Sequence, residues 1–182
     1  MARVPYVKLE DIEPELRKRF SSGNNISLAL AHSPMASIMS GELAHYIRHD
    51  NKFDPRLREM AILQIGYMTK SPYEYAHHIE IGLEFGVTPD DIRAIADETA
   101  GRATNLAPID KAVLRATREA TANIKISDET FAELQKGLDN ADIVELLLAI
   151  AHYNGVVRML ASLEVDLEDR YKHFIDEYPL PA

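Results

Sequence analysis

Asp54-Pro55-Arg56-Leu57-Arg58-Glu59, followed after an apolar run by Ser71-Pro72-Tyr73-Glu74-Tyr75-Ala76-His77-His78, decides how this chain is read. Each piece puts an oxygen-bearing side chain directly before a proline. Proline loses nothing at the first helical position, where its missing N–H has no intrahelical acceptor, and the preceding Asp or Ser supplies the cap. Ser33-Pro34 and Thr88-Pro89 repeat the signal on either side. Between the two quoted pieces, Leu57, Ile62, Ile65, Tyr67 and Met68 recur at helical intervals. Met60 and Ala61 then make that helix apolar around much of its circumference, which implies deep burial or an oligomer interface.

Working outward, the pattern predicts helices over residues 9–20, 34–49, 55–69, 72–85, 89–99, 108–122, 128–138, 141–161 and 165–176. Gly86 is placed to close the fourth in a left-handed cap. Leu146, Leu147, Ile150, Asn154, Val157 and Ala161 share one stripe of the long C-terminal helix. Gly155 within it weakens the helix by about 1 kcal/mol relative to Ala and would admit a close neighbour. The acidic run Glu164 to Glu168 reads as a solvated helix start. No run of alternating β-branched residues competes, and no repeat of fixed period emerges. The fold class is therefore all-α.

The 182 residues, 46% of them apolar, suffice for one core without staples. No Gly/Ser- or Pro-rich linker divides them, so a single domain over residues 1–182 is expected. The run from Ile143 to Ala151, broken by Glu145, falls short of a membrane span. Residues 1–11 show no apolar leader, and a cytoplasmic location is the expectation. The chain has no cysteine, which excludes disulfides, thiolate metal sites and thiol-based peroxide chemistry. A formal charge of −9 leaves no basic stripe to neutralise phosphates, so no nucleic-acid partner is expected.

Chemistry concentrates in the quoted stretch. On a helix starting at Pro72, Glu74 and His78 lie four apart on one face. Tyr73 and His77 form a second pair, rotated by about 100°. A carboxylate beside an imidazole fixes its tautomer and raises its basicity, giving a group that exchanges protons near neutral pH. Glu59 sits on the preceding, antiparallel helix and can face the same pocket. Against this stands a plain structural reading. Ser71-x-x-Glu74 is also a capping box, with Glu74 returning to the cap N–H, and a helical histidine often simply packs. Adjacent His77 and His78 diverge too far to clamp a metal as an i, i+4 pair does, so no metal is expected. His45 and His49 read as surface or interface residues; Tyr153 and Asn154 either line the pocket opposite His78 or satisfy one another at a helix crossing, the second reading being favoured.

The same residues carry a resemblance. A glutamate, then twelve residues later Cys-x-x-Cys-x-x-x-His, marks the AhpD-like, carboxymuconolactone decarboxylase family. Here Glu59 precedes Ser71 by twelve, and Ser71-x-x-Glu74-x-x-x-His78 keeps the spacing with both cysteines replaced. Ile79 to Ile95 is similar to the family's continuation, and the signature covers about residues 35–100. His152-Tyr-Asn-Gly-Val-Val-Arg158 and Tyr73-Glu74-Tyr75 are similar to its cysteine-free branch. The resemblance implies an AhpD-like helical bundle with N- and C-terminal helical extensions, assembled as a homo-oligomer, trimer or hexamer. It implies a cofactor-free lyase or isomerase that moves protons on a small organic acid or lactone. Glu59, Glu74 and His78 would be catalytic, with Tyr73, Ser71, His77 and Arg58 binding the substrate. For an anionic substrate Arg56, Arg58 and Arg158 are the cations at hand, although for Arg58 pairing with a surface acid is the favoured reading. Peroxidase chemistry is disfavoured, because serine and glutamate form neither sulfenic acid nor disulfide. The alternative is a non-catalytic binding or structural descendant in which Glu74 caps and His78 packs.

Overall fold

The helix predicted from Asp54-Pro55 is the axis of the molecule. A computed structural model describes residues 2–20 and 23–181. In chain order the α-helices are α1 (Pro14–Arg17), α2 (Asn25–Leu30), α3 (Pro34–His45), α4 (Pro55–Met68), α5 (Pro72–Glu84), α6 (Pro89–Thr99), α7 (Pro108–Asn123), α8 (Asp128–Leu134), α9 (Asn140–Leu163) and α10 (Lys172–Glu177). Short 3-10 turns lie at Leu9–Asp11 and Asp169–Tyr171, and a π-helical turn at Tyr46–Asp50. The described residues contain no β-strand, so the fold is all-α as predicted.

Residues 57–66 of α4 are all buried, because the helix packs against α5, α6, α7 and α9. Its apolar circumference is thus spent within this chain. Ile62 and Ile65 join Val113, Leu146 and Ile150 in one apolar cluster, while Met60 and Leu63 join Ile79, Ile92 and Leu114 in a second. Gly66 allows the closest approach. A Cβ there would stand 3.0 Å from the backbone N and Cα of Tyr75, so only glycine lets α4 and α5 run this near.

The caps form where the prolines placed them. Asp54, Ser71 and Thr88 each accept a bond from the backbone N–H three residues on, whereas Ser33 makes no side-chain cap bond. Gly86 adopts φ +93°, the left-handed cap. Arg56 binds both Asp91 and Asp110, with N–O distances of 2.7–3.2 Å, and so ties the start of α4 to α6 and α7.

Several expectations are corrected. The helix expected over residues 9–20 is broken, because Pro14 drives Glu13 into extended backbone (ψ 131°). Helix α2, capped by Asn24, was not foreseen. The helix expected over 34–49 ends at His45 and widens into the π-turn. Gly155 meets nothing within 4 Å of a built Cβ, so it admits no close neighbour. The acidic run is no helix start: Glu164 ends α9 in the left-handed region, and the next residues run extended. Asp166 there accepts from the Ala2 N–H and the Tyr6 hydroxyl, which staples the two ends of the chain together. Helix α9 is, by length and composition, apolar enough to cross a membrane, more than the broken run in the sequence indicated. Here Ile143, Leu146, Ile150, Val157 and Leu160 of that helix are buried in the first cluster.

Candidate active site

Because α4 and α5 are antiparallel neighbours, Glu59 of α4 meets His78 of α5. Glu59 Oε2 lies 2.6 Å from His78 Nδ1, and Glu59 is fully buried. On the other side of the ring, Nε2 lies 3.1 Å from Glu74 Oε1, one helical turn back. Arg58 Nε donates to the second Glu59 oxygen at 3.0 Å, and its guanidinium lies 4.7 Å from the centre of the Phe85 ring. The result is a buried row of alternating charge: Arg58, Glu59, His78, Glu74. Burial alone would depress the His78 pKa, yet Glu59 and Glu74 push it up to about 9. Burial likewise opposes ionisation of Glu59, but His78 and Arg58 hold its pKa below the usual range. The ring is therefore an imidazolium at neutral pH, with Nδ1–H donating to Glu59 and Nε2 within ion-pair distance of Glu74.

A cleft of about 780 Å³ opens beside this row. Small side chains of α3, namely Ser37, Ser40, Gly41 and Ala44, leave room for it. His78, Glu74, Tyr73 and His77 line it from α5, and His152 and Tyr153 from α9. Three buried polar atoms of this lining have no hydrogen-bond partner: Glu74 Oε1, His152 Nε2 and the Tyr153 hydroxyl. The Glu74 oxygen is near enough to His78 for an ion pair but off the line of the ring N–H. Leaving such atoms unpaired costs about 1–3 kcal/mol each. Tyr153 stands edge-on to His78, with ring centres 4.9 Å apart. Burial raises the Tyr153 pKa, so the phenol keeps its proton, and burial lowers that of His152, which favours its neutral form.

The second helical pair has a different partner. His77 Nε2 bonds Glu168 at 2.7 Å, and its ring stacks on Tyr73 at 4.3 Å and lies tilted against Tyr171 at 3.9 Å. Glu168 also accepts from the Tyr73 hydroxyl and the Asn25 N–H. Although burial opposes it, these bonds bring the Glu168 carboxyl down to about 2. The extended segment after α9 is thereby strapped over one wall of the cleft.

Of the residues assigned from sequence, Glu74, His78, Tyr73 and His77 share the cleft, and Glu59 backs His78 from behind the wall. Ser71 and Arg58 do not line it. Ser71 caps α5 by accepting from the Glu74 N–H, while its own N–H goes to Gly66. Only half of the capping box forms, so the Glu74 carboxylate is left to His78 and the cleft. Arg58 has paired with a buried acid instead of a substrate. Arg56 is committed to Asp91 and Asp110, and Arg158 bonds Asn154 of its own helix. Asn154 does sit at a crossing, bonding Thr121 of α7, but Tyr153 turns into the cleft rather than to Asn154. Arg48, His49, Glu168 and Tyr171 also line the cleft and were missed. No local pattern marks them, since a π-turn and an extended strap bring them there. Both His78 nitrogens face carboxylates, which leaves no free lone pair for a metal, and the described residues hold no cluster of three or more ligand types.

Residues 39–119 match the family model described as the carboxymuconolactone decarboxylase family. No curated protein matches the sequence. Among solved structures, the chain is similar to an uncharacterized peroxidase-related protein with an alkylhydroperoxidase AhpD core from Ralstonia eutropha JMP134. They share 18% identity and a TM-score of 0.80 over 99% of this chain and 98% of the other. The debrominase Bmp8 gives 17% and 0.81, with 97% of each chain covered. An uncharacterized peroxidase-related protein from Silicibacter sp. TM1040 gives 15% and 0.73 over 93% and 95%. At such identities the structures speak for the fold, and the family match falls on the helices that carry Glu59, Glu74 and His78. Residues 39–119 are thus similar to the carboxymuconolactone decarboxylase family, on a fold shared with an AhpD core.

Proposed function

We propose that this protein is a carboxymuconolactone decarboxylase-like lyase or isomerase that moves a proton on a small organic acid or lactone held in the cleft. One observation carries the reading: the carboxylate-clamped imidazolium and Glu74 line one cavity, beside His152 and Tyr153, whose buried polar atoms have no hydrogen-bond partner. Glu74 is the group that exchanges a proton with substrate carbon, and His78 is the proton store behind it. When Glu74 takes the proton of a C–H next to a carbonyl, the electron pair moves onto the carbonyl oxygen as an enolate. The Tyr153 hydroxyl then donates to that oxygen, and a proton returned to a different carbon completes an isomerisation. In a decarboxylation the same enolate arises as the C–C bond breaks and carbon dioxide leaves, and the His78–Glu74 pair supplies the proton. Glu59 and Arg58 keep His78 charged and fixed through the cycle.

Thiol chemistry has no place here, because the chain lacks cysteine although fold neighbours are described as peroxidase-related. The debrominase neighbour is described in complex with 2,3,4-tribromopyrrole, and a planar molecule of that size fits the volume of this cleft.

The test is proton exchange with solvent. A panel of γ-lactone carboxylates and unsaturated keto acids is incubated with protein in deuterium oxide and followed by NMR. Wild type is expected to label a carbon next to a carbonyl, and Glu74→Gln and His78→Gln to slow labelling by about 100-fold or more while remaining folded. Labelling that proceeds equally in both variants would remove the site from the reaction.

A further inference from the structure

The cleft contains a cation that neither the sequence reading nor the row of charges behind His78 uses. Arg48 sits in the π-helical turn Tyr46–Asp50 and is half-buried in the cleft lining. In that turn the Asn51 N–H reaches back five residues to the Tyr46 carbonyl, at 3.2 Å. Such wide turns are uncommon and recur at functional sites, since one extra residue per turn re-aims the side chains. Every other arginine among the described residues bonds an acid, an amide or a carbonyl, except Arg170. Arg170 also lines the cleft, but its guanidinium lies 4.4 Å from the centre of the Tyr171 ring. Among the described residues Arg48 has no such neighbour. Its guanidinium keeps its full set of donors for a planar, two-oxygen acceptor.

We propose that Arg48 anchors a carboxylate of the molecule that occupies the cleft. Arg48 and Glu74 line the same cleft as His152 and Tyr153, and both charges act on those two residues. His152 lines the same cleft, is held toward its neutral form by burial, and has an Nε2 without a hydrogen-bond partner. A substrate bound this way carries its anionic group at Arg48 and its reactive C–H toward Glu74. The inference deepens the proton-transfer reading and rests on it only for where the reacting carbon lies. The binding of an anion at Arg48 stands separately.

The test uses benzoate and its uncharged counterpart benzamide, titrated into the full chain by calorimetry, with histidine resonances reporting cleft occupancy. Wild type is expected to bind benzoate at least about tenfold more tightly than benzamide, a difference of about 1.4 kcal/mol. Arg48→Gln, checked for folding by circular dichroism, is expected to lose that preference, and Arg48→Lys to keep part of it. Glu74→Gln is expected to retain benzoate binding, since it removes a negative charge and leaves the anchor. The proposal is overturned if wild type does not prefer benzoate, or if Arg48→Gln binds it as well as wild type does. Anion binding that survives alongside absent carbon labelling would sink the proton-transfer reading alone.

Discussion

His78 gains its proton affinity from folding, because only the folded chain brings Glu59 and Glu74 to its two nitrogens. Its pKa rises from 6.5 to about 9. The stability this contributes is fully present below about 6.5, declines as pH rises, and is gone above about 9. The gain is on the order of 3 kcal/mol. Glu59 works in the opposite direction: its folded pKa lies below 4.5, so its contribution is present above that value and is lost as pH falls further. Urea unfolding at a series of pH values is expected to show stability falling between about pH 6.5 and 9 in wild type. In His78→Gln that alkaline decline should flatten, and an unchanged decline would mean that the clamp contributes nothing. That Glu59 comes to the same site as His78 was legible in the sequence, because two short-linked helices must run antiparallel side by side; that it bonds the ring directly was not. The role of Glu74 was ambiguous there. Its spacing from Ser71 suits a cap and its spacing from His78 suits an ion pair, and only the path of the Ser71 N–H to Gly66 resolves the choice.

At the level of elements, legibility followed local signals. Helices α4, α5 and α6 begin where Asp54, Ser71 and Thr88 precede prolines, since cap and proline act within one turn. The π-turn that carries Arg48 and the strap that carries Glu168 have no such signal. Both depend on contacts far along the chain, such as Tyr46 with Glu145 and Glu168 with His77. Helix α3 has two faces. Its small residues face the cleft, while Met35, Met39 and Leu43, spaced by four, remain 37–47% exposed. An exposed apolar stripe of this kind is what an interface leaves on a single chain. The expected homo-oligomer is proposed to form there, through a second copy of the chain. Light scattering should give a multiple of the single-chain mass for wild type and a smaller species for Met39→Glu. A wild-type monomer would contradict the assignment.

Across the whole molecule, one arrangement connects packing to chemistry. Helix α4 is buried on all sides, so Arg58 and Glu59 are fixed from within the core, and α5 hands their charge through His78 to the cleft. Gly66 sets the spacing between those helices, and the strap closes the far wall by way of His77. A chain of formal charge −9 thus holds a cationic imidazole and a free guanidinium on one cavity. The bundle was legible from its caps and apolar spacing, whereas the cavity was not, because it is formed by small residues of α3 opposite large ones of α5 and α9. The central claim is that His78 is an imidazolium held at the wall of an open cleft. Nitrogen NMR of protein labelled at histidine, followed through a pH titration, reads it directly. Both His78 nitrogens are expected to be protonated at neutral pH, to titrate near 9, and to shift when benzoate enters the cleft. A His78 that titrates near 6.5, with one bare nitrogen at neutral pH and no response to the ligand, would contradict it.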